Sequence, residues 1–227
     1  VKIPRFHRHF PAWCFGAVSV FAGMNSAIAY ENETVSVISA RATHAMQNDM
    51  FSMFTLHTRF VEGFKETERE IFEARFGKNS GNRQLTAAYN LHFDRLTADG
   101  EEHRLWQQYR YTLPRLNHEL DFRIRLEERY FTASDDVGAR ARLVLYWNKP
   151  LSARNELRLG NELVLNLNDY GISAQKGFSQ DRLLASFIHE LENGNRLDFN
   201  YQYRYIHQNN AENFIQHQIQ MMLTFNL

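Results

Sequence analysis

A single cysteine, Cys14, is the only thiol in this chain. It lies in an N-terminal stretch that reads as a leader. The remainder therefore has no disulfide, no thiol nucleophile and no thiolate metal ligand. A run of apolar residues long enough for a membrane helix is missing after Tyr30. Excess charge of one sign is missing too, since 26 Lys and Arg balance 26 Asp and Glu. That balance argues against nucleic acid as a partner. There is no glycine-rich phosphate loop and no dinucleotide fingerprint, so no cofactor is expected. Histidine is plentiful, but His44, His57, His92, His103, His118, His189, His207 and His217 are scattered without ligand spacing, and His7 and His9 fall in the leader. No metal site is expected from them.

The first 29 residues have the parts of a secretory signal peptide. Lys2, Arg5 and Arg8 form a basic start, Ala12 to Gly23 an apolar core, and Ala27-Ile28-Ala29 a small-x-small cleavage site. As a membrane anchor the core would fall short of the ~20 residues that a span needs. We expect residues 1–29 to be removed and residues 30–227 to form one domain. Removal takes away three basic residues and no acid, leaving about −3.

What fills the rest is alternation. In Asn117 to Phe131, Leu120, Phe122, Ile124 and Leu126 fall on one side. Asp121, Arg123, Arg125, Glu127 and Arg129 fall on the other. A period of two is a β-strand with one apolar and one charged face, whereas helical spacing yields no clean stripe. Similar segments recur at Thr67–Phe76, Arg83–Arg95, Glu101–Leu113, Val137–Trp147, Glu156–Asn168, Asp181–Leu191, Arg196–His207 and Asn213–Leu227. Thr34–Ala45 and Phe51–Phe60 alternate weakly. In Glu101–Leu113, Trp106 and Gln107 sit on the wrong sides of the pattern. Turn signals separate the segments at Gly77 to Asn82, around Pro114 and Pro150, and at Glu192 to Asn195.

This pattern predicts an all-β, antiparallel up-and-down transmembrane β-barrel of about 10–12 strands. Barrels of this type have even strand numbers and both termini on one side. Counting back from the last segment gives ten, and leaves Thr34–Ala45 unexplained. Five apolar positions over nine residues, as in Leu197–Tyr205, match a tilted membrane strand. Tyr109, Tyr111, Trp147, Tyr203 and Tyr205 suit an aromatic girdle. The charged faces would then line the lumen as a ladder of Arg104, Arg110, Asp121, Arg123, Arg125, Glu127, Arg129, Arg140, Arg142, Arg158, Glu162, Asp198 and Arg204. In so narrow a bore these groups are expected to pair, because an unpaired charge away from water is costly.

The order EHRLWQQ (Glu102–Gln108), RIRLEER (Arg123–Arg129), RARLVLYWNKPL (Arg140–Leu151) and LGNELVLNLND (Leu159–Asp169) resembles an uncharacterised family of Gram-negative outer-membrane proteins, catalogued as a domain of unknown function. The similarity runs from about Phe51 to Leu227. It implies a β-barrel in the outer membrane, and it brings no established activity or catalytic residues.

Three functions compete. The first is a structural or interaction barrel, or a narrow pore, exported to the outer membrane. It would be a monomer without enzymatic activity, with outer-membrane lipids around it and the barrel-assembly machinery as a partner of its C-terminal strand. The second is a lipid-modifying barrel enzyme using a rim serine and histidine, for which Ser134 or Ser179 with His207 are the available residues. The third is a soluble periplasmic barrel binding an apolar ligand, which needs an apolar interior. Partner specificity is expected to sit in the loops Asp169–Gln180 and His207–Asn213.

Overall fold

The computed structural model describes residues 32–62, 64–96, 100–170, 174–207 and 213–227. The expected leader, with Cys14 and the cleavage site, lies outside the described residues, as do parts of the two loops singled out above. The chain forms eleven strands: β1 (Asn32–Ala45), β2 (Met50–Val61), β3 (Glu66–Ser80), β4 (Arg83–Asp94), β5 (Glu101–Pro114), β6 (Glu119–Phe131), β7 (Val137–Pro150), β8 (Asn155–Asn166), β9 (Gly177–Glu190), β10 (Arg196–Ile206) and β11 (Phe214–Asn226). Each alternating segment of the sequence becomes one of them. Neighbours in sequence pair antiparallel, and the sheet closes into a barrel where β1 meets β11.

That closure corrects the even strand count. Thr34–Ala45 is the core of β1, and it pairs parallel with β11 from Asn32↔Ile215 to Thr43↔Asn226. Strand direction alternates along the chain, so the first and last of eleven strands run the same way. A parallel ladder then closes the sheet at slight cost relative to an antiparallel one. A second correction follows. The two ends of the barrel sequence lie at opposite rims: β1 starts at the rim that carries connections 95–100, 132–136, 167–176 and 207–213, and β11 finishes at the rim of the tighter turns.

The turns show why the hairpins form where they do. At 46–49, Asn48 and Asp49 both take left-handed φ, 58° and 60°. Asn and Asp tolerate that region best after glycine, and such a turn matches the twist of the flanking strands. Two boundaries differ from the sequence reading. β3 continues through Gly77 to Ser80, so only residues 81 and 82 turn. Pro114 and Pro150 are the last residues of β5 and β7 rather than turn residues, where a missing N–H ends a ladder without breaking it.

The faces are the inverse of a protein with an oily core. Outward lie Phe54, Phe72, Leu85, Leu105, Ile124, Leu143, Phe187, Phe199 and Ile219, all exposed, with Leu85 63% and Phe54 62% accessible. Inward lie charges: Asp121 is 0%, Asp198 2% and Glu127 3% accessible. Trp106 breaks the pattern because it too points inward, 2% accessible, while Gln107 faces out. Inward glycines make room for inward rings. A Cβ on Gly160 would come within 2.4 Å of the Tyr146 ring, and one on Gly138 within 2.8 Å of Tyr170. Two bulges then re-aim side chains. Between Arg59↔Arg69 and Phe60↔Thr67 the extra residue is Glu68, which turns to meet Arg59. Between Val164↔Gln180 and Leu165↔Phe178 the extra residue is Ser179, which is buried.

A charged lumen and its cavity

Register brings the ladder together. Trp106 pairs with Glu127, Glu127 with Arg140, and Arg140 with Asn166, so one inward row crosses four strands. By the same registers every ladder residue named from the sequence faces the lumen. The structure groups them into three tiers.

Nearest the tight turns is a plug. Asp121 accepts from Arg123 Nη2 at 2.6 Å and pairs with Arg110 at 2.8 Å. Asp198 takes both nitrogens of a fork from Arg196 at 2.7 Å. Arg158 donates to Asn148 Oδ1 at 2.7 Å and to Glu156 at 2.9 Å. Arg123 and Arg158 also lie against the Tyr146 ring, 4.6 and 5.4 Å from its centroid. Trp106 does the same work one step deeper. Its Nε1 donates to Asn90 Oδ1 at 2.8 Å, and Arg125 and Arg75 approach its ring at 3.9 and 5.1 Å. Stacked guanidiniums suit such sites because they are planar and weakly hydrated.

The middle tier is a network of alternating sign. Glu127 meets Arg125 at 3.5 Å and Arg142 at 2.9 Å. Arg142 reaches Glu162 at 3.2 Å, and Glu162 reaches Arg182 at 2.9 Å. Glu102 holds Arg104 at 2.6 Å and also pairs with Arg129. Each carboxylate thus serves two guanidiniums, which offsets the desolvation of all three.

The third tier, toward the longer connections, holds a cavity of about 280 Å³. Arg59, Arg69, Arg104, Arg129, Arg140, Arg142, Arg182 and Arg204 line it with His57, His92, Gln180, Gln202, Gln218, Gln220, Val37 and Ile71, and among the described residues no carboxylate does. Tyr170 folds into the lumen beside it. Its hydroxyl accepts from Arg129 and from Arg140 Nη2 at 2.5 and 2.8 Å, and donates to Asn166 Oδ1 at 3.3 Å. Its ring stacks on Phe131.

Sequence reading missed part of this set. Arg59, Arg69, Arg75 and Glu73 come from β2 and β3, and Arg182 from β9. Period-two spacing from Arg69 to Glu73 and Arg75 was the available signal. Nothing in the sequence pointed to Tyr170. For the rim-enzyme residues, the Ser134 hydroxyl accepts from Asp136 N and the His207 ring meets Asn213. Ser179 meets His207 only through backbone, His207 N to Ser179 O at 2.9 Å. Among the described residues neither serine hydroxyl hydrogen-bonds His207. Ser39 is bonded to a histidine ring instead, 2.7 Å from His57 Nδ1 inside the barrel.

Fold and lumen together define a closed β-barrel whose interior is filled by arginine and carboxylate. Residues 38–215 match the model of a family described as a protein of unknown function (DUF2490), from within β1 to the start of β11. The chain belongs to that family. No curated protein and no solved structure matches it.

Proposed function

We propose that this protein is an outer-membrane β-barrel of a Gram-negative bacterium, exported by its N-terminal signal, monomeric, and acting as a structural or interaction barrel with an occluded, charged lumen. The observation that carries the reading is the inverted amphipathicity. Water does not favour a belt of Phe54, Leu85, Leu105, Ile124 and Leu145 on the outside of a folded chain, whereas lipid does. The strands of 11 to 15 residues meet or exceed the ~9–11 that a tilted span requires. Outward tyrosines also fit both edges of a belt. Tyr109, Tyr111 and Trp147 lie toward the tight turns and Tyr203 and Tyr205 toward the longer loops, at the two levels of an aromatic girdle. A soluble ligand carrier has the opposite requirement, an apolar interior.

The test is heat-modifiability of the protein from fractionated membranes. In the expected result the unboiled protein is in the outer-membrane fraction and migrates differently from the boiled one on a detergent gel. Recovery in the soluble fraction without a shift would overturn the reading. Single-channel recording tests a narrow pore, and an absence of conductance steps removes that variant.

A further inference from the structure

We infer that the cavity of the third tier is a binding site for a small phosphate-type oxyanion. Arginine excess is the first observation. Most of the lining arginines answer a carboxylate elsewhere in the lumen, but Arg140 and Arg204 have none within ion-pair distance among the described residues. Arg140 donates to Tyr170 at 2.8 Å and to Asn166. Arg204 donates to Gln180 at 3.2 Å and to Gln216. Both side chains are over nine-tenths buried, with 7% and 9% of their surface accessible. Neutral amides and a phenol satisfy hydrogen bonds without bringing an opposite charge into contact; Glu33 reaches Arg204 only through Gln216.

Orphaned polar atoms in the same cavity are the second observation. Among the described residues Arg204 Nε has no partner, and neither ring nitrogen of His92 has one, although His92 is only 4% accessible. His92 and Arg204 both line this polar space, each with buried side-chain nitrogen that no protein group answers among the described residues. An oxyanion in that space supplies the missing negative charge and, with a small side-chain adjustment, an acceptor for Arg204 Nε and for the one N–H of a neutral His92 ring.

Size and geometry narrow the ligand. About 280 Å³ is at the lower limit of small-molecule pockets, so a lipid or a nucleotide does not fit whole. Arg59 comes from β2, Arg140 from β7, Arg182 from β9 and Arg204 from β10, so donors approach from several walls. That suits a tetrahedral anion better than a planar carboxylate, and guanidinium forks match its oxygen spacing. Below the cavity the Tyr146 and Trp106 tiers are packed with arginine, so the site is a pocket with a floor. The inference needs only the closed, charged barrel and does not depend on which membrane holds it.

The experiment is calorimetric titration of inorganic phosphate into the refolded full chain in detergent, at fixed ionic strength set with chloride. A phosphate monoester forms a second arm, to separate free phosphate from an esterified headgroup. Heat-modifiability is checked first for every variant, so failure to form the barrel is distinguished from failure to bind. The expected result is saturable binding of one phosphate per barrel. Arg204→Gln and Arg140→Gln should each weaken it at least ten-fold, while Arg196→Gln, in the plug, changes it less than two-fold. Removing the Arg204 charge should also raise the melting temperature without phosphate and shrink the rise that phosphate produces. A purely structural arginine would lower stability under both conditions. Absence of saturable binding to a folded barrel, or equal loss from the plug variant, would overturn the site.

Discussion

At the scale of single residues, burial decides which charges matter. Asp121 is wholly inaccessible and answers both Arg110 and Arg123, whereas the Arg154–Glu192 pair is 52% and 86% exposed. Asp121→Asn keeps the shape and removes the buried counter-charge of two half-buried guanidiniums. Breaking a buried pair from one side costs about 3–5 kcal/mol. An exposed pair contributes about 0–1 kcal/mol. We expect Asp121→Asn to lower the temperature at which the barrel form disappears on unboiled gels, and Arg154→Gln to leave it unchanged. Trp106 belongs to the same scale. It departs from the charged face of β5, and its ring gives Arg125 and Arg75 a surface to stack on beside the carboxylates of Glu127 and Glu73 that they pair with.

At the scale of elements, β1 carries the least expected feature. Its alternation is weak, with Ser36, Ser39 and Thr43 among its residues, yet it is hydrogen-bonded on both sides by β2 and β11. The parallel closure predicts a contact that an even-stranded barrel cannot make. Ile38 and Met221 are register partners on the outer face, 44% and 43% accessible. With Cys14 replaced by serine, Ile38→Cys/Met221→Cys should oxidise to an intramolecular disulfide in the folded protein, read as a shift on a non-reducing gel. Ile38→Cys/Ile215→Cys lies six register steps away and should not, because a disulfide needs its Cα atoms within about 7 Å.

At the scale of the whole molecule, closure leaves no unpaired edge strand among the described residues, and inward arginines, carboxylates and rings crowd the lumen between the cavity and the tight-turn rim. The plug of Tyr146, Trp106 and their arginines separates the cavity from the tight-turn rim. Trp106→Ala/Tyr146→Ala should open a path through that floor. In planar bilayers the double variant is expected to show conductance steps absent from the parent, with anions favoured over cations because arginine outnumbers carboxylate along the cavity wall. Steps of equal size in parent and variant would show that the floor does not occlude.

Much of this was legible without coordinates. Alternation is a local property, set by the geometry of successive Cβ atoms, so the sequence by itself marked the strand segments, Thr34–Ala45 and Phe51–Phe60 only weakly, and which residues share a face with Arg123, Glu127 or Arg142. It also carried the family motifs, since the matched region spans the strands that hold them. Tertiary structure alone decided the rest. The partner of β1, the odd count and the opposite-rim termini follow from hydrogen bonds between the two ends of the chain, which no local pattern encodes. The split of the arginines into paired and unpaired sets depends on register and on two bulges. Arg140 and Arg204 are equivalent rungs in the sequence, and only closure of the barrel puts both against one cavity, beside a histidine with no partner.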